Sequence, residues 1–376
     1  MKITFEDIIN QQGFIRAYYY DECHRGEIRF EMSDPIHVRN DLVAEAFGAL
    51  CGQYYDEIEI TLKISAKTKT EIENRTGASV ISSTGLRFWN FNKMISNDVK
   101  TLNFSGDVAN LSALALTPGN PNKVSLDFGK DAIHMYEMFD RWNSRIVKTN
   151  VMETHFPSIT SDYYAIGTIL YKDYFNTRYM ITGLQLDPLT VNMTKIQAEQ
   201  AIAGMINLPH TLGLSAVGHT KIACKRWDEE LNTAMNTVKV SQPEVRTQQQ
   251  LLVAIENERA YLGLPLDKML IQPTGISWGE NIKLDFLALY ILKHRGRAWA
   301  SYLVQNIPTE AETWVRKISL DFYERYYPGV LNYMPEEVKT YVQQQLEQYE
   351  IALYSEQDWQ SFQMIRAHLF KTRQPR

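Results

Sequence analysis

The turn that follows the apolar segment 99–104 carries residue types suited to binding phosphate. Ser105 and Gly106 come directly after this segment, and Asp107 precedes the helical pattern VANLSALAL. A short turn into the N-terminus of a helix presents backbone N–H groups without partners and a partial positive charge, both of which favour an anion. The turn therefore predicts a phosphate site, and the carboxylate of Asp107 raises the question of whether phosphate binds there.

Other glycine and polar residues follow predicted strands farther along the chain. They are Asp127, Gly129, Asn150 and Gly183. In an open parallel α/β sheet, ligands bind beyond the carboxyl ends of the strands, so these residues are expected at the same edge as Ser105 and Gly106. The sequence thus predicts a nucleotide pocket formed by several strand ends.

Residues 99–183 alternate between strand and helix patterns, as such a pocket requires. The predicted strands are VKTLNF, KVSLDF, IVKTN and TRYMIT, and the predicted helices are VANLSALAL, DAIHMYEMFDRWNSR and SDYYAIGTILYKDYF. Strands that are separated by helices of this length indicate crossover connections and a parallel sheet.

The flanking segments have different patterns. The N-terminal segment mixes β-type runs such as GFIRAYYY, GEIRFEM and YDEIEITLKIS with the helical pattern RNDLVAEAFGALCG, and the chain from KIQAEQAIAGMINL onward reads as mainly helical. The sequence therefore predicts an α/β fold with three domains. These are a small α+β domain at 1–98, a domain with a parallel sheet at 99–240 and a helical C-terminal domain at 241–376.

The run NFSGDVANLSALAL resembles the PP-loop signature, S-G-G-x-D-S, of the ATP pyrophosphatase-like (adenine nucleotide α-hydrolase-like) superfamily. The order of the elements LNFSGDVANLSAL, KVSLDFGK, RIVKTN, YYAIGTILYKDYF and MITGLQLD is most similar to 7-cyano-7-deazaguanine synthase-like proteins. The resemblance implies a Rossmann-like parallel sheet flanked by helices and a loop that holds the phosphates of ATP. It also implies an enzyme that adenylates an acid or amide before a nucleophile displaces AMP.

The signature in this chain departs from the family pattern. Ser105 and Gly106 match its first two positions, whereas Asp107 replaces the second glycine, Ala109 the aspartate and Asn110 the second serine. A carboxylate at 107 would repel phosphates, and it could accept hydrogen bonds from the first turn of the helix as an N-cap. The alanine at 109 removes a ligand for Mg²⁺, although Asp107 itself could bind this ion from a shifted position.

Two functions follow from the resemblance. In the first, the chain is a degenerate PP-loop protein that binds a protein partner or a nucleotide within a larger assembly, such as a defence or modification system. In the second, it is an active ATP-dependent adenylating ligase or amidotransferase-like enzyme, with ATP and Mg²⁺ as cofactors and a small-molecule substrate. A helix capped by Asp107 favours the first function, and an acidic residue near the loop, such as Asp127 or Asp187, favours the second. No catalytic residue is assigned.

The histidines and cysteines do not predict a metal centre. The three cysteines lie far apart and form no C-x-x-C pair, and His210, His219 and Cys224 lack a fourth ligand, so no zinc is expected and no metal ligand is assigned. His155 follows a predicted strand and could act as a general base, with an ordinary loop histidine as the alternative.

Charge and hydropathy narrow the class of partner. The formal net charge of -5 shows no basic excess, which argues against nucleic acid as a partner. The N-terminus lacks an apolar signal segment, and no run of 18 apolar residues occurs, so we expect a cytoplasmic protein without a membrane partner. An oligomer is compatible with the sequence.

Overall fold

A computed structural model describes residues 1–84, 98–129, 133–160, 162–192, 201–237, 243–264 and 271–371. The chain forms two compact units. The first comprises described residues of Met1–Ser105, Pro121–Thr182 and Ala198–Leu208, and the second those of Gly106–Asn120, Gly183–Gln197 and Pro209–Arg376. Each unit is therefore assembled from segments that are separated in the sequence.

The strands all lie in the first unit. They are β1 (Lys2–Gln11), β2 (Phe14–Tyr20), β3 (Arg25–Met32), β4 (Glu57–Ile64), β5 (Ser79–Thr84), β6 (Lys100–Asn103), β7 (Asn122–Asp127), β8 (Arg145–Thr149), β9 (Tyr179–Ile181), β10 (Ala201–Ile202) and β11 (Met205–Leu208).

The α-helices of the described residues are divided between the units. Those of the first unit are α1 (Asn40–Cys51), α2 (Ala66–Thr76), α4 (Ile133–Arg141) and α5 (Ile166–Phe175). Those of the second unit are α3 (Val108–Ala115), α6 (Ala216–Arg226), α7 (Asp228–Thr237), α8 (Pro243–Ala260), α9 (Ile282–Arg295), α10 (Arg297–Leu303), α11 (Thr309–Lys317), α12 (Glu336–Gln348) and α13 (Glu356–Lys371).

The eleven described strands form one mixed sheet in the order β10-β11-β9-β6-β7-β8-β3-β2-β1-β4-β5. Strands β11, β9, β6, β7 and β8 run parallel to their neighbours in this series, whereas β3 pairs with β8 in the antiparallel direction. The sheet confirms the predicted α/β class and the alternation over 99–183. It also joins strands from both sides of residue 98 in one ladder, through β3 and β8.

One predicted helix is wrong in its described part. The pattern KIQAEQAIAGMINL suggested a helix, but β10 and β11 form an antiparallel hairpin there, and β11 pairs with β9. Ala203 and Gly204 have φ values of 53° and 69°, the left-handed conformation that a two-residue hairpin turn requires. Backbone pairing with a neighbouring strand thus outweighs the local helical pattern. Strands β1 and β5 and helix α2 were not among the elements predicted from the sequence.

The core of the first unit lies between the sheet and its helices. Phe5 on β1 stacks on Phe47 of α1 with a distance of 4.5 Å between ring centroids, and both rings are fully buried. Phe156, in the segment after β8, also stacks on Phe5, with a distance of 6.2 Å between ring centroids. This aromatic group fixes α1 and the segment around residue 156 against the same strand.

The second unit has a helical core centred on α9. This helix is buried from Ile282 to Leu292 except at Lys283, which is typical of a helix surrounded by others. Phe286 of α9 packs against Phe322, and Phe362 of α13 contacts both rings. Of the described helices, none has the length and apolar character that a membrane span requires.

A buried ion pair connects α1 to α2. Arg75 donates from Nη1 to the Glu45 carboxylate at 2.6 Å and from Nη2 to the Glu45 carbonyl at 3.1 Å, and both side chains are buried. A Cβ atom at Gly48 would lie only 2.6 Å from Arg75 Nη2, so the glycine provides the space for the guanidinium group. Burial raises the pKa of Glu45, and the charge of Arg75 opposes that rise.

We expect Arg75→Met to lower the free energy of unfolding by about 3–5 kcal/mol, because it leaves the Glu45 carboxylate buried without a counter-ion. The matched control is the double variant Glu45→Gln/Arg75→Met, which removes the charge as well and should recover much of the loss. Urea unfolding followed by circular dichroism measures both. Equal losses in the two variants would contradict the assignment of the cost to an unpaired charge.

Candidate functional site

The turn between β6 and α3 is the site that the sequence singled out. Phe104 is buried, and its N–H donates to the carbonyl of Val124 on β7 at 2.8 Å. Ser105 is exposed. Gly106 has a φ of 77°, in the left-handed region that favours glycine. The boundary between the two units falls between Ser105 and Gly106.

Asp107 caps helix α3. Its backbone is extended, and its side chain accepts a hydrogen bond from the N–H of Asn110 at 2.8 Å. The first N–H groups of a helix have no partner within the helix, and an aspartate at the N-cap position satisfies one of them. The predicted N-cap is therefore confirmed. The chain's own carboxylate lies where an anion would bind to this helix.

Gly183 and Asn110 are brought together in the second unit. A Cβ atom at Gly183 would lie 2.4 Å from Nδ2 of Asn110, so no larger residue fits without moving it. Asn110 itself is buried in the first turn of α3. These two predicted site residues are thus neighbours. The side chain of Asn110 lies so close to the backbone at 183 that a glycine is needed there.

The acidic residues proposed as compensating Mg²⁺ ligands have other partners. Asp127 accepts a hydrogen bond from the N–H of Gly129 at 2.8 Å and another from the hydroxyl of Tyr136. Burial and, to a smaller extent, the hydrogen bond to Asp127 raise the pKa of Tyr136 to about 12. Asp187 accepts from the N–H groups of Leu189 and Thr190. Both carboxylates therefore stabilise the turn in which they lie.

Asn150 extends the pairing between β8 and β3. Its side-chain oxygen accepts from the N–H of Arg29 at 2.8 Å, and its amide nitrogen donates to the carbonyl of Glu27 at 2.8 Å. The side chain thus occupies both hydrogen-bonding positions that a further strand residue would fill. The structure thus gives Asn150 a role in the sheet, and its predicted place in a nucleotide pocket stays a prediction.

His155 lies in a polar cluster that the sequence analysis did not assemble. Its Nε2 is 2.7 Å from the hydroxyl of Tyr55, which also donates to Asp21 at 2.7 Å. The ring of His24 stacks on that of His155 with a distance of 4.1 Å between centroids. We call Asp21, His24, Tyr55 and His155 the histidine–aspartate cluster. Among the described residues, its two histidines and Asp21 are the one group of side chains placed to hold a metal ion.

The environment fixes the charge state of two members of this cluster. Burial raises the pKa of Asp21, but hydrogen bonds from Tyr55 and from the N–H groups of Cys23 and His24 outweigh it and bring the pKa to about 2. Burial lowers the pKa of His155, and the charge of His24 lowers it further while that of Asp21 opposes the change. At neutral pH, Asp21 is therefore a carboxylate and His155 a neutral imidazole.

Little in the sequence pointed to this arrangement. The letters DECH place Asp21 and His24 in one short turn, but Tyr55 and His155 follow much later. A search of known protein families, of curated proteins and of solved structures found no match to the chain. The resemblance to PP-loop proteins accordingly stays a prediction from the sequence.

His210, His219 and Cys224 are buried in the second unit. The Nε2 atom of His210 lies 3.0 Å from the hydroxyl of Thr117. Burial lowers the pKa of His219 to about 3. Because this value is below that of an unfolded histidine, the unfolded chain takes up the proton first as the pH falls.

We expect the contribution of neutral His219 to stability to be complete above about pH 6.5 and to be lost as the pH falls toward 3, with a slope of up to about 1.4 kcal/mol per pH unit. The measurement is the free energy of unfolding of the wild type and of His219→Gln at several pH values in this range. The variant should have a flatter profile. The exposed His37 provides the control, since His37→Gln should keep the wild-type slope, and identical slopes in all three proteins would contradict the prediction.

Proposed function

We propose that this chain is a degenerate PP-loop protein that binds a protein partner within a larger assembly and does not hydrolyse ATP. The observation that carries the proposal is the hydrogen bond from the N–H of Asn110 to the carboxylate of Asp107. This bond uses a donor at the N-terminus of α3, which in a PP-loop is reserved for phosphate. The carboxylate also adds the same sign of charge as the ligand.

Electrostatics supports the same conclusion. Two unit charges about 4 Å apart repel by about 4 kcal/mol at an effective dielectric constant near 20, which is typical of a protein surface. Asp107 is only half-buried, so solvent reduces this repulsion, but the sign is unfavourable for ATP. Asp127 and Asp187, the acidic residues that the sequence offered as Mg²⁺ ligands, each accept hydrogen bonds from N–H groups of their own turns. Binding of a protein partner needs neither a phosphate site at the start of α3 nor a Mg²⁺ ion, so the carboxylate of Asp107 does not oppose it.

The test is isothermal calorimetry of ATP and AMP, with and without Mg²⁺, on the wild type and on two variants. Asp107→Asn keeps a capping side chain but removes the charge, whereas Asp107→Gly restores the glycine of the signature. We expect no measurable ATP binding to the wild type and measurable binding to both variants, because the repulsion between Asp107 and the phosphates is removed. Asp140→Asn, which removes an exposed carboxylate from α4, is the control and should behave as the wild type.

Two results would overturn the proposal. If the wild type binds ATP only with Mg²⁺ and Asp107→Asn weakens binding, Asp107 is a metal ligand and the enzyme hypothesis is the correct one. If no variant binds ATP, the turn at the start of α3 is not a blocked phosphate site. An assay for AMP or pyrophosphate release with the wild type checks hydrolysis directly.

A further inference from the structure

The histidine–aspartate cluster has the dimensions of a metal site. The Oδ2 atom of Asp21 lies 3.3 Å from Nδ1 of His24 and 3.7 Å from Nε2 of His155. All three ligand atoms lie within 4.8 Å of one another. In a tetrahedral site with bonds of about 2.0–2.2 Å, neighbouring ligand atoms are separated by about 3.3–3.6 Å. The two distances to Asp21 are therefore close to those of an occupied site.

Asp21 is held in place by the backbone around it. Its Oδ1 accepts hydrogen bonds from the N–H groups of Cys23 and His24 at 2.7 Å and 2.6 Å, and Tyr55 donates to its Oδ2. Its side chain has no exposed surface. Metal sites rely on such outer hydrogen bonds to orient their ligands, so the carboxylate is fixed before an ion arrives.

His155 is equally restrained. Its side chain is 9% exposed, and Tyr55 contacts its Nε2. Its Nδ1 is buried and has no hydrogen-bond partner among the described residues. The ring nitrogen beside the Asp21 carboxylate is Nε2, so this is the atom of His155 that can bind an ion, and the proton of the neutral ring is then carried by Nδ1.

His24 gives the cluster its access to solvent. Its side chain is 44% exposed, and it lines, together with Asp21, a cavity of about 840 Å³ next to the turn between β2 and β3. The same cavity is lined by several carboxylates and one basic residue. These are Glu6, Asp7, Glu22 and Glu27, with Arg25. The excess of negative charge favours the entry of a cation over that of an anion.

The two imidazole rings must change their mutual orientation when an ion binds. They are nearly parallel, with 9° between their planes, whereas a bound metal lies in the plane of each ring that holds it. Because His155 is buried and His24 is exposed, the ring that tilts is that of His24. Without an ion, the site therefore has two fixed ligands, Asp21 and His155, and one that can move, His24.

We propose that Asp21, His24 and His155 bind a divalent transition-metal ion such as Zn²⁺, with Tyr55 as the residue that positions Asp21. The hydroxyl of Tyr55 gives up its contact with Nε2 of His155 when that atom binds the ion. Two imidazoles and one carboxylate form a ligand set that zinc and other first-row metals accept. Three protein ligands leave a fourth coordination position open to water or a small ligand. This site lies within the first unit and does not depend on the function proposed for Asp107.

The experiment is a calorimetric titration of the chelator-treated full chain with Zn²⁺, together with visible absorption spectra after addition of Co²⁺. We expect one ion per chain and the visible bands of Co²⁺ in a site of low coordination number. His24→Ala should weaken binding at least about tenfold, because it removes a ligand from the exposed side without disturbing the core. Tyr55→Phe should weaken it less and should leave the Co²⁺ bands present, as a positioning role implies.

Two controls separate the cluster from chance binding. Cys23→Ser removes an exposed thiol beside the site, and His37→Ala removes an exposed histidine outside it, so both should bind Zn²⁺ as the wild type does. The inference is overturned if the wild type binds no Zn²⁺, if His24→Ala binds it equally well, or if Cys23→Ser abolishes binding. The wild type and His24→Ala should respond identically in the ATP titration, which keeps the two proposals distinguishable.

Discussion

The antiparallel pairing of β3 with β8 is the contact on which the sheet depends. In the strand order, these two neighbours are the point where the group β1–β5 meets the group β6–β11. The backbone register pairs Phe30 with Thr149 and Met32 with Val147, and the side chain of Asn150 adds two hydrogen bonds at one end of this ladder. Without this pairing, both groups would expose a long unpaired edge, which is a template for aggregation.

The same pairing positions the histidine–aspartate cluster. Because Asn150 is fixed to β3, the chain that leaves β8 has only a few residues in which to reach the turn between β2 and β3. His155 and Phe156 lie at the end of this short path, where Phe156 packs on Phe5 and His155 meets Asp21. The positions of His155 and Asp21 are therefore a product of long-range strand pairing and of aromatic packing.

The limits of sequence reasoning follow from the range of the interactions involved. The strands and helices over 99–183 could be predicted from alternating patterns, because the pattern of each element lies within its own residues. Asp107 was predicted as an N-cap for the same reason, since its partner Asn110 is three residues away. The hydrogen-bond partners of Asn150 could not be predicted from its neighbours in the sequence, because they lie more than a hundred residues earlier, on β3. His155 was noted as a candidate base, but no local pattern links it to Tyr55 or Asp21.

The division of each unit among separate segments has a consequence for synthesis on the ribosome. Helix α3 is buried along its whole length, and its packing partner α6 begins at Ala216, about 100 residues after α3 ends. Synthesis proceeds at roughly 5–20 residues per second, so about 5–20 s pass between the synthesis of α3 and that of α6. During that interval the nascent chain carries an apolar segment whose covering surface has not yet been synthesised.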